Sequence, residues 1–231
     1  MLRRYLPCPL FIAPLLLVAA PARAQDQDEQ LWLQVNTNVP VAKDVRLTLE
    51  QIGRFSDGQD GLYQTEFGTL LSYRAAKAIE FGFGYRKVGA HNGNTASNED
   101  RLRQQMVGTF GRIATRFRVD ERFLTQGGEV GFRVRPLVRY NHPMGNGLAL
   151  FVSHESFFLP NSTRWGQRKG YDRMRNILGL AVPIGRQVNA DVGYLNQYRP
   201  GRGGSRGEMD HALTLQVTIN IRSLTAPNLH D

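Results

Sequence analysis

Cysteine is nearly absent from this sequence of 231 residues, because Cys8 is the only one. Cys8 lies ahead of a short apolar stretch near the amino terminus, so the rest of the chain can form neither disulfides nor thiolate metal sites. The histidines other than His154 show no metal-ligand spacing. We therefore expect no metal and no cofactor.

Long hydrophobic runs are also missing. The apolar stretch Leu10–Ala20 is interrupted by Pro14, and it is shorter than the roughly 20 residues that a helix needs to cross a bilayer. No later segment is apolar over about 18 residues. These absences exclude a helical membrane protein.

The amino terminus has the features of a secretory signal. Arg3 and Arg4 form a basic start, Leu10–Ala20 forms the apolar centre, and Ala22-Arg23-Ala24 is a small-x-small cleavage site. A lipoprotein cysteine would follow the apolar stretch, whereas Cys8 precedes it. We therefore predict a signal peptide at residues 1–24, removed on export, and one mature domain at residues 25–231.

The charge balance is basic, with a net charge of +9. Removal of Arg3, Arg4 and Arg23 takes away three positive charges and leaves +6. In an exported protein this excess favours a basic interior or contacts with anionic lipid headgroups, and we expect no nucleic acid as partner.

Period-two alternation dominates the mature chain, which is the pattern of a strand with two different faces. Near the carboxyl terminus one face carries Met209, His211, Leu213, Leu215, Val217, Ile219 and Ile221. At residues 62–73 the apolar face is Tyr63, Thr65, Phe67, Thr69, Leu71 and Tyr73. Eleven such runs lie near residues 31–39, 45–54, 62–73, 78–88, 101–110, 113–123, 129–141, 147–158, 173–184, 188–199 and 209–222.

The length of the runs and of their connections predicts an all-β, antiparallel transmembrane β-barrel. Many runs have about 10–12 residues, as a tilted strand needs to cross a bilayer. Short connections such as Gly111-Arg112 alternate with long ones such as Leu159–Asp172, which is typical of short periplasmic turns and longer extracellular loops. Because bacterial single-chain barrels have even strand numbers, we expect 10 or 12 strands rather than 11.

Four segments of the chain also resemble one family. They are Glu29-Gln30-Leu31-Trp32-Leu33, Leu47-Thr48-Leu49-Glu50-Gln51, Phe83-Gly84-Tyr85-Arg86 and Arg116-Phe117-Arg118-Val119-Asp120-Glu121-Arg122-Phe123. In this order they are similar to the bacterial domain-of-unknown-function family 2490, whose members look like outer-membrane barrels. The resemblance implies a fold and a location but no chemistry. The segment Ser223–Asp231 follows the last strand, whereas many outer-membrane barrels end on an aromatic residue.

The strand face opposite the apolar one is rich in arginine. If the apolar side chains contact lipid, this second face lines an Arg-rich lumen with fourteen cations against eight anions. A narrow barrel can fill its lumen with ion pairs, or arginines can select anions in a pore. The leading candidates for binding a small anionic solute are Arg116, Arg118, Arg122, Arg133, Arg135 and Arg139.

A second candidate site lies on the apolar face. His154 and Ser156 are two residues apart in one run, and Asn176 lies near the start of the next. This His-x-Ser pair is similar to outer-membrane phospholipase A and the lipid A deacylase, in which the histidine acts as base and the serine as nucleophile. Those enzymes continue with asparagine, whereas Phe157 follows here. The alternative is a set of polar residues at headgroup level.

These patterns leave three functions open. The first is a structural outer-membrane protein or a narrow anion-biased pore that is not an enzyme. The second is a lipid-acting hydrolase that uses His154 and Ser156, and the third is a soluble periplasmic barrel that binds ligands as lipocalins do. For the first two we expect the cell outer membrane as location. The expected partners are its lipids and lipopolysaccharide, the barrel-assembly machinery and a small anionic solute.

Overall fold

The computed structural model describes residues 26–91, 98–125 and 127–221. The predicted signal peptide at residues 1–24 and the segment Ser223–Asp231 lie outside the described residues. No helix in the described ranges is long and apolar enough to cross a membrane.

Eleven strands form one closed barrel, and all eleven runs expected from the alternation are confirmed as strands. Their bounds are β1 Asp26–Ala42, β2 Val45–Ser56, β3 Gly61–Ala76, β4 Ile79–Ala90, β5 Glu99–Phe110, β6 Ile113–Leu124, β7 Val130–Gly145, β8 Leu148–Leu159, β9 Gly170–Pro183, β10 Val188–Arg199 and β11 Glu208–Asn220. Consecutive strands are antiparallel neighbours throughout.

The expected even strand number is wrong, because the first and last strands pair in parallel. β1 and β11 run alongside each other from Asp26 opposite Glu208 to Asn38 opposite Asn220. In a meander, successive strands reverse direction, so strands 1 and 11 point the same way and only a parallel ladder can join them. This closure places the start of β1 and the end of β11 at opposite ends of the barrel.

Cross-linking tests the parallel closure. Val35 and Val217 are register partners across it, and neighbouring strands lie about 4.8 Å apart, within the Cα separation that a disulfide spans. We expect Val35→Cys with Val217→Cys to form a disulfide on oxidation, seen as a gel shift of the folded barrel. Val35→Cys with Leu213→Cys is the control, because four residues of offset exceed that separation. Equal yields from the two pairs would contradict the closure.

The two ends of the barrel differ in their connections. Four hairpins at one end have two-residue tips, such as Asn146-Gly147 between β7 and β8. Asn146 and Gly147 have φ of 52° and 78°, which suits the tight turns that twisted strands require. The other end carries the longer connections, including residues 160–169 and 200–207. We call these the short-turn end and the long-loop end.

Charged side chains are buried in the barrel, and large apolar side chains are exposed on its outer face. The lumen buries charge, and its fully enclosed side chains include Arg103, Glu66 and Asp120. On the outer face, every one of the eleven strands contributes at least one exposed large hydrophobic side chain, such as Phe67 at 59% and Leu178 at 55% exposure. The exposed apolar surface therefore surrounds the whole barrel.

Candidate functional site

All six arginines expected in the lumen lie there, and five of them have a carboxylate partner. Arg133 and Arg135 reach Asp120 at 2.7 and 3.3 Å. Arg135 and Arg116 share Glu155 at 3.0 and 2.6 Å. Asp120 on β6 and Glu155 on β8 therefore join cations from two strands, β6 and β7.

The other two pairs lie towards opposite ends of the lumen. Arg122 pairs with Glu99 at 2.7 Å near the long loops, and Arg139 pairs with Asp191 at 2.5 Å nearer the short turns. Arg118 is the exception. Its guanidinium donates to Gln105 Oε1 at 3.0 and 2.6 Å, and no described carboxylate lies within 4.0 Å of it.

A second group of ion pairs fills the adjacent side of the lumen, along β2 to β5. The fully enclosed Glu66 contacts Arg54 at 2.9 Å and Arg86 at 2.6 Å. Glu50 contacts Arg86 and Arg103 at 2.7 and 2.6 Å. In this low-dielectric interior such partners offset the cost of desolvating each ion.

The side chains of the two groups of ion pairs lie between two cavities of the lumen. A cavity of about 540 Å³ lies towards the long-loop end, and one of about 500 Å³ lies towards the short-turn end. The side chains that line both, and so separate them, are Trp32, Arg54, Arg86, Arg135 and Arg175.

On the outer face, the structure brings His154, Ser156 and Asn176 together. His154 and Asn176 are register partners on β8 and β9, and Ser156 is the next residue of β8 on the same face. His154 Nδ1 lies 2.7 Å from Asn176 Oδ1, and His154 Nε2 lies 2.9 Å from Ser156 Oγ. All three side chains thus stand on strands rather than on a loop.

The orientation of the Asn176 amide, with Oδ1 towards His154 Nδ1, is compatible with one tautomer of the neutral imidazole. An amide oxygen only accepts hydrogen bonds, so the contact with Asn176 Oδ1 requires the proton on Nδ1. Nε2 then carries the free electron pair and accepts from the Ser156 hydroxyl. This is the arrangement of a general base beside a hydroxyl nucleophile, with a third group that orients the base.

The surroundings of this trio are apolar. Neighbouring outer-face side chains include Val138, Val152 and Leu178, which are 52%, 50% and 55% exposed. Phe157, which follows the serine, points the other way and is buried at 1% exposure. The register of β7 and β8 skips Arg135 and Pro136 on β7 and Ser156 and Phe157 on β8, and Pro136 has no amide N–H to donate to the ladder.

Comparison with known proteins agrees with the family resemblance. The profile of a family described as "Protein of unknown function (DUF2490)" matches residues 29–208. An uncharacterised protein of Methylorubrum extorquens is 32% identical over 223 residues, covering 91% of this chain and 96% of that relative. The chain belongs to the DUF2490 family. The resemblance seen in the sequence is thereby confirmed, while neither finding assigns an activity or a location.

Two contacts in this DUF2490 barrel were not visible in the sequence. Gln167, in the long connection after β8, is buried at 4% exposure and accepts from Arg122 Nη1 at 3.0 Å. Trp165 in the same connection lies over the Arg122 guanidinium at 5.1 Å. Neither residue belongs to an alternating run, so no periodic signal could have placed it against the lumen.

One side chain of the DUF2490 barrel lies on the opposite face from that expected. Tyr63 was expected on the apolar face of β3, but its hydroxyl donates to Gln30 Oε1 at 3.0 Å, and it lines the long-loop cavity. The β2–β3 register shifts between Arg54 and Phe55. Such a bulge adds one residue to a strand and breaks the strict alternation of faces.

Proposed function

We propose that this protein is an outer-membrane β-barrel that hydrolyses acyl esters of membrane lipids with Ser156, His154 and Asn176. The observation that carries the proposal is the geometry of His154, which has Ser156 Oγ 2.9 Å from one ring nitrogen and Asn176 Oδ1 2.7 Å from the other. Polar residues that merely lie at headgroup level have no need for two hydrogen bonds that place His154 between a hydroxyl and an amide.

The apolar surface supports a membrane location. Exposed hydrophobic side chains occur on every strand, and a surface of this kind is unfavourable in water. The strands of 12 to 17 residues are long enough to cross a hydrocarbon core when tilted. In a membrane, the closed ladder leaves no strand edge without hydrogen bonds.

The location determines the substrate class. Side chains on the outer face contact lipid rather than the lumen, so the ester carbonyl of a phospholipid or of lipopolysaccharide can reach Ser156 from within the bilayer. Neighbouring Val152 and Leu178 give an apolar surface against which acyl chains pack. A water-soluble ester does not enter the bilayer and therefore cannot reach Ser156 by this route.

The reaction follows the chemistry of a serine hydrolase. Ser156 Oγ attacks the ester carbonyl carbon while His154 Nε2 takes the hydroxyl proton, and Asn176 holds the ring in the required tautomer. His154 then returns the proton to the departing alcohol of the lipid, which leaves an acyl group on Ser156. A water molecule, deprotonated by the same histidine, releases the fatty acid and restores the hydroxyl.

The lumen gives weaker support to a narrow anion-biased pore. Five of the six candidate arginines are neutralised by carboxylates, which reduces the excess charge that sets anion selectivity. Their side chains also occupy the region between the two cavities. We therefore assign the ion pairs around Asp120 and Glu155 a structural role.

Activity on lipid tests the proposal directly. The folded protein is added to mixed micelles of phosphatidylethanolamine or of purified lipopolysaccharide, and released fatty acid is measured by mass spectrometry. We expect release that grows linearly with time and protein concentration. Absence of release from both lipids by a folded barrel would overturn the hydrolase proposal.

A further inference from the structure

The cavity at the long-loop end of the lumen has a charge imbalance. All eleven strands contribute to its lining, together with the short 3-10 turn at Asp57–Gln59. Nine arginines but only four carboxylates line it. The arginines are Arg54, Arg86, Arg101, Arg122, Arg133, Arg135, Arg173, Arg175 and Arg199. Eight of these arginines have a carboxylate partner, in part among acids that lie behind the lining, so the uncompensated charge is concentrated at Arg175.

Arg175 is the lining cation with the least compensation. Its Nε donates to Gln197 Oε1 at 2.6 Å, but no described carboxylate lies within 4.0 Å of its guanidinium. The guanidinium lies over the rings of Trp32 and Phe157, 4.6 and 4.7 Å from their centroids. Aromatic faces hold a guanidinium in place without neutralising it, so its charge remains available to a ligand.

Two neighbouring cations extend the site. Arg54 also lies over Trp32, 4.1 Å from the ring centroid, so the indole contacts two guanidinium groups. Arg173 is two residues before Arg175 on β9, and its Nε reaches Asp172 at 2.7 Å. The planar guanidinium group of each of these arginines can bind a carboxylate or phosphate at two points.

A basic vestibule leads to this cavity. A further cavity of about 470 Å³ shares Arg122, Arg173 and Arg199 with it and is lined in addition by Arg168, Arg202 and Arg206 of the long connections, against the three carboxylates of Glu99, Asp172 and Glu208. A cleft with an excess of one sign of charge concentrates ions of the opposite sign. The route from the long-loop end therefore favours the entry of anions.

We propose that the long-loop cavity is a binding site for a small anion that carries at least two phosphate or carboxylate groups, with Arg175 as its main contact. The site lies on the inner side of the wall, so it is separate from the outer-face trio around Ser156. Binding to it is independent of the hydrolase proposal, and Ser156→Ala should bind the anion as the unchanged protein does.

Calorimetric titration of the mature protein, folded in a zwitterionic detergent, tests this site. Sodium pyrophosphate and sodium succinate are the probes, so that the two arms distinguish phosphate from carboxylate recognition. We expect saturable binding of at least one of them, weakened by about tenfold or more in Arg175→Gln through loss of a two-point contact. The matched control is Arg46→Gln, a partly exposed arginine that pairs with Glu80 and does not line this cavity.

The outcomes separate specific binding from general attraction. No saturable binding of either anion by the folded protein would overturn the site, and so would equal weakening in Arg175→Gln and Arg46→Gln. If Arg175→Gln does not fold, Arg173→Gln replaces it, because Arg173 lines the same cavity. Unchanged affinity in folded Arg175→Gln would also contradict the proposal. Where Arg173→Gln has replaced it, unchanged affinity in that variant has the same meaning.

Discussion

Ser156→Ala is expected to lower the release of fatty acid by at least about 10³-fold, since loss of a serine nucleophile removes the covalent step of the reaction. The barrel should fold normally, because Ser156 lies on the outer face and its hydroxyl contacts only His154 among the described residues. The assay measures fatty acid released from phospholipid micelles at equal amounts of folded protein.

The matched control is Ser153→Ala. Ser153 lies on the same strand but points into the lumen, where it is buried at 8% exposure. Loss of its hydroxyl leaves the outer face unchanged, so release should stay within about twofold of the unchanged protein. If Ser156→Ala and Ser153→Ala release fatty acid equally, Ser156 is not the nucleophile.

Asn176→Ala distinguishes catalysis from a general effect of the outer face. Without the Oδ1 acceptor, the imidazole loses the contact that keeps its proton on Nδ1. We expect a decrease in turnover that is smaller than that of Ser156→Ala, because an orienting group contributes less than the nucleophile. An activity unaffected by Asn176→Ala would remove Asn176 from the relay.

The largest expected effect on stability is that of Asp120→Asn. Asp120 is completely enclosed and joins Arg133 at 2.7 Å to Arg135 at 3.3 Å. Removal of its charge leaves Arg133 without a carboxylate partner in the described residues. Breaking a buried ion pair in this way costs about 3–5 kcal/mol of folding free energy, even where the intact pair adds little net stability.

Unfolding in urea, monitored by the mobility of the folded barrel on gels, measures this loss. Asp100→Asn is the control, because Asp100 pairs with Lys87 at 3.6 Å on the surface, where its side chain is 38% exposed. A surface pair contributes about 1 kcal/mol or less, and asparagine can still accept from the Tyr85 hydroxyl. Equal unfolding midpoints for the two variants would contradict the structural role of the lumen network.

The alternation of side chains was sufficient to predict all eleven strands and the face of almost every residue. A strand has a strict period of two, so the inward positions of Arg133 and Arg135 and the outward position of Val152 follow from the order of the residues. Where a bulge adds a residue, as at Tyr63, the sequence carries no sign of the change, and the expected face was wrong.

The closure of the barrel and the partners of its charges could not be predicted in this way. The even strand number was expected because other bacterial barrels have one. The closure itself depends on a long-range contact between the first and last strands, such as Leu33 opposite Leu215, which local alternation does not specify. The pairing of Arg116 with Glu155 likewise depends on strand stagger and side-chain length. Alternation identifies the face of a residue but not its partner across the lumen.

Contact of the outer face of the wall with hydrocarbon is tested by a nitroxide scan along β8 in lipid vesicles. Single cysteines replace Leu150, Phe151, Val152, Ser153 and Phe158, and collision rates with oxygen and with a water-soluble nickel complex are measured for each. We expect high oxygen and low nickel access at residues 150, 152 and 158, with low oxygen access at 151 and 153. Higher access to nickel than to oxygen at the first three positions would contradict it, and would indicate a barrel that lies in water.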